Sequence, residues 1–164
     1  MSSRPLNVSG IEGALVYSGL TIPATCIAGP NGAIQAGPQG TAIGRFAWVR
    51  PDGVALNQRT SPDDAIGIVL PEFGPGVDWR RVFYDDVSKT CRIRQGLNIS
   101  ILTAGNVLMR FPGGARPGNQ VYANLLDGSA ISGPSVSGEV TRWFVASAAP
   151  PGQLAIITTW SKKA

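Results

Sequence analysis

Apolar positions along this chain come in short runs, each closed within a few residues by Gly, Pro or Asp. "RFAWV" (45–49) is aromatic and β-branched with no polar alternation after its arginine, the pattern of a strand covered on both faces. The "RPDG" that follows (50–53) is turn chemistry, because Pro51 presets φ and Gly53 is free to take a positive one. "AIGIVL" (65–70) predicts a second buried strand, stopped by Pro71. "TCRIRQ" (90–95) alternates Cys91 and Ile93 with Arg92 and Arg94, as a half-exposed strand does. "LNISILTAGNVLMRF" (97–111) predicts a hairpin: Leu97, Ile99 and Ile101 share a face, Val107, Met109 and Phe111 share one on the return, and "TAGN" turns between them. "QVYANLL" (120–126) runs to a turn at Asp127-Gly128, and "SAISGPSVSG" (129–138) reads as a polar excursion. "VTRWFVASA" and "LAIITTW" form a closing hairpin around "APPGQ" (149–153).

No segment carries a sustained 3.6-residue period, so helix should be scarce. With 21 Gly and 13 Pro supplying turns between short strands, the chain predicts an all-β fold: a single small β-barrel or jelly-roll-like sandwich. Its 164 residues suit one domain, residues 41–164, preceded by a distinctive stretch at 1–40. Between Arg4 and Arg45 the only charge is Glu12, and "AGPNGAIQAGPQGTAIG" is dense in Gly and Pro. A solvated tail is normally polar and charged. Residues 1–40 are therefore either an apolar arm lying on its own barrel or on a neighbour, or a first pair of hairpins, "GALVYSG" returning through "TIPATCIAG".

Charge and reactive residues mostly narrow the field. Net charge is +4, spread over 11 Arg and 3 Lys with only two adjacent pairs, so no basic stripe for nucleic acid forms. The chain has no histidine, which removes the commonest general base and metal ligand and every Ser-His or Cys-His dyad. Cys26 and Cys91 lie far apart without metal spacing and read as reduced, buried thiols. The acidic doublets Asp63-Asp64 and Asp85-Asp86 mark turns more readily than a two-carboxylate site, since neighbours on a strand point to opposite faces. Phosphate-loop spacing is absent, as are EF-hand spacing and any apolar run long enough to span a bilayer. "MSSRPLNVSG" lacks the apolar core of a secretory signal, so the expectation is a product made in the cytoplasm. No cofactor and no metal are expected.

What remains is contact chemistry. Trp79, Arg80 and Arg81 sit together in the irregular stretch "PEFGPGVDWRRVFYDD" (71–86), and Trp and Arg shown together are the usual anchors of protein interfaces. Trp160, in a strand-like context near the C-terminus, is a second interface candidate; Trp48 and Trp143 read as core or subunit-interface residues.

The order "AIGRFAWVRPDGVAL", "GIVL", "GLNISILTAGNVLMRFPGGARPGNQVYANLLDGSAISG" and "TRWFVASAAPPGQLAIITTW" resembles the structural cement, or head decoration, proteins of tailed bacteriophages. The resemblance spans roughly residues 40–160; residues 71–90 depart from the pattern, and no contact residue is carried over there. It implies a β-barrel or jelly-roll-like subunit that forms a homo-dimer or homo-trimer. It implies too that such a subunit sits on the outer surface of the virion and clamps neighbouring major capsid protein subunits. No catalysis, nucleic-acid contact or membrane contact goes with that role. Two rivals are a tail-fibre tip or carbohydrate-binding module, using Trp79 with Asp85-Asp86, and a small two-carboxylate hydrolase.

Overall fold

The structure is a computed structural model and describes residues 12–16, 25–27, 33–71 and 79–159. The regular secondary structure of the described residues is nearly all strand. In order the strands are β1 (Thr25–Cys26), β2 (Ile34–Ala36), β3 (Thr41–Ala42), β4 (Phe46–Val49), β5 (Val54–Leu56), β6 (Ala65–Val69), β7 (Val82–Asp85) and β8 (Thr90–Ile93). They continue as β9 (Asn98–Ile99), β10 (Ile101–Ala104), β11 (Asn106–Phe111), β12 (Gln120–Asn124), β13 (Ala130–Ser132), β14 (Gly138–Val145) and β15 (Gln153–Thr158). A single 3-10 turn, Trp79–Arg81, is the only helical element among the described residues, and no helix there is long and apolar enough to cross a membrane.

Three sheets share two cores. The central seven-stranded sheet runs β1-β10-β6-β4-β5-β2-β9, a five-stranded sheet runs β11-β15-β14-β12-β13, and a three-stranded sheet runs β3-β8-β7. Strand β4 shows why "RFAWV" has no alternation. Phe46 and Trp48 point into a core shared with Val107, Met109, Phe111, Val121, Trp143 and Ile157 of the five-stranded sheet. Ala47 and Val49 point the other way, into a core with Ile34, Ile43, Ile99, Ile101 and Ile93 of the three-stranded sheet. All four residues are buried, as a period-2 strand between two layers requires. Trp48 and Trp143 are thus core residues.

The closing hairpin forms as predicted, with Phe144 opposite Thr158 and Val145 opposite Ile157. The hairpin predicted over 97–111 does not form. β10 pairs with β1 and β6 in the central sheet, whereas β11 pairs along its whole length with β15 in the other sheet. One residue, Gly105 at φ 142°, separates the two strands, and that is too short for a hairpin turn and suited to a sharp bend. The apolar faces were read correctly, since Val107, Met109 and Phe111 are all buried, but the chain turns a corner between sheets there. The polar excursion at 129–138 contains strand β13. The two halves of the predicted first hairpin find other partners: Leu15 bridges Val107, and β1 lies beside β10. Residues 1–11, 17–24 and 28–32 of the 1–40 stretch lie outside the described residues.

Where the sheets meet, one buried amide closes the seam. Asn57 accepts the N–H of Ala42 (2.7 Å) and donates to the carbonyl of Phe46 (3.0 Å), so it joins β3 to β4. The β12–β13 turn docks on the same point, with the Phe46 N–H donating to the Gly128 carbonyl (2.9 Å). Gly128 is at φ 72°, and a Cβ there would fall on the Phe46 oxygen. On the five-stranded side, the Trp48 indole N–H donates to Glu139 of β14, whose other oxygen is 3.9 Å from Arg59.

Candidate docking surface

The predicted contact residues lead into a hairpin that stands at the rim of the second core. The 3-10 turn Trp79–Arg81 feeds β7, which pairs antiparallel with β8 from Val82↔Ile93 to Asp85↔Thr90. Arg80 is exposed and Arg81 half-buried; the Trp79 side chain and the whole of Trp160 lie outside the described residues. The base of the hairpin is held firmly. Arg94 donates from Nε to the Arg80 carbonyl (2.6 Å), its backbone N–H donates to the Arg81 carbonyl (2.8 Å), and its guanidinium lies 5.2 Å from the Phe83 ring centre.

At the tip, Asp85 organises the turn. Its carboxylate accepts from the Ser88 hydroxyl (2.7 Å), the Val87 N–H (3.1 Å) and Arg92 Nε (3.1 Å). The Ser88 hydrogen bond foremost, then the backbone donors and the Arg92 charge, hold it below the ordinary aspartate range. Arg92 also reaches the Gly40 carbonyl (3.3 Å), Arg45 reaches the Ser88 carbonyl (3.4 Å), and Lys89 pairs with Asp86 (3.1 Å). Asp85-Asp86 is therefore a turn device, as its sequence suggests, and the Asp85 oxygens are engaged within the chain. Asp63-Asp64 is likewise a turn, with the Asp64 carboxylate held by Thr60 (3.1 Å).

Beside the exposed Asp86–Lys89 pair, this hairpin presents apolar side chains outward. Val82 and Ile93 face the core at its base, but farther out on the same face Tyr84 is 59% exposed, and Val87 at the tip is 95% exposed. Cys91, opposite Tyr84, is exposed, contrary to the expectation of a buried thiol: on that face of the hairpin the cover ends at Ile93, whereas Thr90 on the other face stays buried. Tyr84 and Val87 were not singled out from sequence. Their signal was present in "VFYDDVSK", where apolar residues continue straight up to and across an acidic turn.

Two open clefts lie elsewhere, one of about 460 Å³ lined by Gly113, Arg116, Asn119 and Ser132, the other of about 300 Å³ beside Gln39, Arg50, Arg92 and Asp127. Asp127 is the only carboxylate lining either, so neither supplies the acid pair of a hydrolase. Among the described residues no three His, Cys, Asp or Glu side chains converge as a metal site.

A β fold with many ion pairs inside the chain, no converging catalytic or metal-binding groups among the described residues, and large apolar side chains exposed at the β7–β8 hairpin and beside β14 fits a class: a protein–protein contact module. The comparisons with known proteins agree. The family model of the structural cement protein (E217 gp24/Pam3 gp6) matches residues 9–159, and the chain belongs to that family of phage capsid-associated structural proteins. A solved chain from the capsid of Myoviridae phage XM1 shares the fold at a TM-score of 0.59 and 18% identity, covering 97% of this chain and 98% of that one. No curated protein matches.

Proposed function

We propose that this chain decorates the outside of a phage head as a homo-dimer or homo-trimer, clamps neighbouring major capsid subunits, and performs no catalysis and no direct nucleic-acid binding. The family match over residues 9–159 carries the reading. The hairpin gives it a contact element: the Trp79–Arg81 turn with Tyr84 and Val87 meets the shell, and an aromatic, an aliphatic and arginines together make the composition of an interface anchor. Each single contact can be weak, because an oligomer that engages several shell subunits gains by effective concentration.

Copy number in purified particles tests the role. Quantitative mass spectrometry should find this chain at a simple fraction of the most abundant shell protein; a handful of copies per particle, or none, refutes it. The contact element is tested by adding the purified chain to undecorated shells. Tyr84→Ala combined with Val87→Asp should lower occupancy at least about tenfold, which corresponds to roughly 1.4 kcal/mol per contact. Unchanged occupancy would place the shell contact elsewhere on the chain.

A further inference from the structure

Of the five large hydrophobic side chains exposed among the described residues, Tyr84 and Val87 belong to the hairpin, Leu126 lines the cleft beside Arg50, Arg92 and Asp127, and the other two, Val136 and Val140, lie on the β13–β14 side. The topology brings them to one place. β13 and β14 both run antiparallel to β12 and flank it, so the connection 133–137 must pass across β12. The inner face of β12 carries Val121 and Ala123, both buried in the core, so the crossing passes over the outer face, above Tyr122. The fit is close: a Cβ on Gly138 would lie 3.0 Å from the Tyr122 Cβ and 3.5 Å from Ile131 Cδ1. Val136 rides fully exposed on this crossing, Val140 pairs with Tyr122 and is 53% exposed, and the Leu125 N–H donates to the Ser137 carbonyl (3.0 Å), which ties the crossing to the end of β12.

This patch is electrically quiet. No charged residue occurs from Gly128 to Gly138, where Ser, Gly and Pro make up the polar part. The flanking acids point to partners within the chain, Asp127 to Arg45 at 3.7 Å and Glu139 to Arg59 and the Trp48 indole. Arg142, exposed on the same face of β14 two residues beyond Val140, marks the rim. A two-fold contact sets each residue near its own copy or its copy's neighbour, so a charged patch opposes itself whereas a neutral apolar one does not. The hairpin tip, ringed by Asp85, Asp86, Lys89 and Arg92, is the poorer surface for self-contact.

We infer that the outer face of the β12–β13–β14 unit, with Val136 and Val140 at its centre, is where a second copy of this chain docks. The inference rests on the oligomeric reading above and adds the surface. It leaves the hairpin free for a partner of different surface, so one subunit can hold its copy and the shell at once.

Sedimentation velocity over a concentration series tests it, comparing the full chain with Val136→Asp/Val140→Asp. Both positions are exposed, so the variant should keep its far-UV CD spectrum and its melting temperature to within about 2 °C. The wild type is expected to associate, and the variant to associate at least tenfold more weakly while still binding undecorated shells with reduced avidity. A wild type that associates and a folded variant that associates equally well would overturn the assigned surface and leave the oligomeric reading standing. A wild type that stays monomeric both in solution and on shells would overturn both. A variant that loses all shell binding from a monomeric wild type would assign the patch to the shell and overturn the inference that way. Should the double variant fail to fold, Val140→Lys alone gives the same comparison.

Discussion

Asn57→Ala is the sharpest test of how the three sheets are held in one body. The side chain is buried and serves two backbone groups, the Ala42 N–H at 2.7 Å and the Phe46 carbonyl at 3.0 Å. Removing it orphans a donor and an acceptor inside the protein, each at about 1–3 kcal/mol, so the expected cost is about 4 kcal/mol. At about 3 °C per kcal/mol for a chain of this size, the melting temperature falls by roughly 12 °C. A water entering the vacated space would recover part of one bond and reduce the drop to roughly half. Calorimetry at neutral pH measures it, with Asn98→Ala, at an exposed position, as the control. Because Ala42 belongs to β3, which pairs with β8, amide exchange at Arg92 and Ile93 should accelerate as well. A drop below about 3 °C, or unchanged exchange in the three-stranded sheet, would show that Asn57 is not the joint between the sheets.

Gly128→Ala should destabilise by more than about 2 kcal/mol, because the residue sits at φ 72° with the Phe46 oxygen where its Cβ would go; a denaturant midpoint within error of wild type would refute that close approach. Glu12 gives a pH test. Burial, opposed by Arg110 and Arg45, raises its pKa above the ordinary 4.5, so its contribution to stability is whole below pH 4.5 and is lost as pH rises through the folded-state value. Glu12→Gln should therefore gain in melting temperature relative to wild type as pH is raised from about 4 to 7, and a gap that stays constant across that range would contradict the burial argument.

Much of the architecture was legible because it depends on local rules. The doubly apolar run at 45–49 could only be a strand between two layers, and the aromatic pair in "TRWFV" followed by "LAIITT" could only be a hairpin with one face inward. The corner at Gly105 was not legible. "SILTAGNVLM" satisfies a hairpin pattern, and the choice of a bend is made by partners remote in sequence, Val69 and Ile68 for β10 and the whole of β15 for β11. The same holds for β13, whose three residues become a strand because β12 is beside them. Of the proposed contact surface, the arginine turn at 80–81 could be seen in sequence, since it interrupts an irregular loop with interface chemistry. Tyr84 and Val87 left a trace in "VFYDDVSK", but their exposure, like that of Val136 and Val140, was not legible, because exposure is a property of what the rest of the chain leaves uncovered.

The disposition of charge links fold to role. Across the described residues, acids find cations or donors of the same chain: Glu12 faces Arg110, Asp52 Arg50, Asp85 Arg92, Asp86 Lys89, Asp127 Arg45 and Glu139 Arg59. Surface pairs of this kind are worth only about 0–1 kcal/mol each, so they add little to global stability. Their effect is geometric. Arg45 joins the β12–β13 turn to the tip of the β7–β8 hairpin through Asp127 and the Ser88 carbonyl, and Arg92 joins that tip to Gly40. The two exposed apolar patches are thus mounted on elements braced to each other through the body. On the proposed role, in which load would pass from a second copy to a shell subunit, that arrangement is the one required: apolar contacts at the ends, and between them paired strands and hydrogen-bonded turns. Arg45→Met, which cuts this brace and also removes a cation acting on Glu12, should leave both patches exposed and lower the force at which decorated shells break in nanoindentation; an unchanged force at equal occupancy would refute the brace.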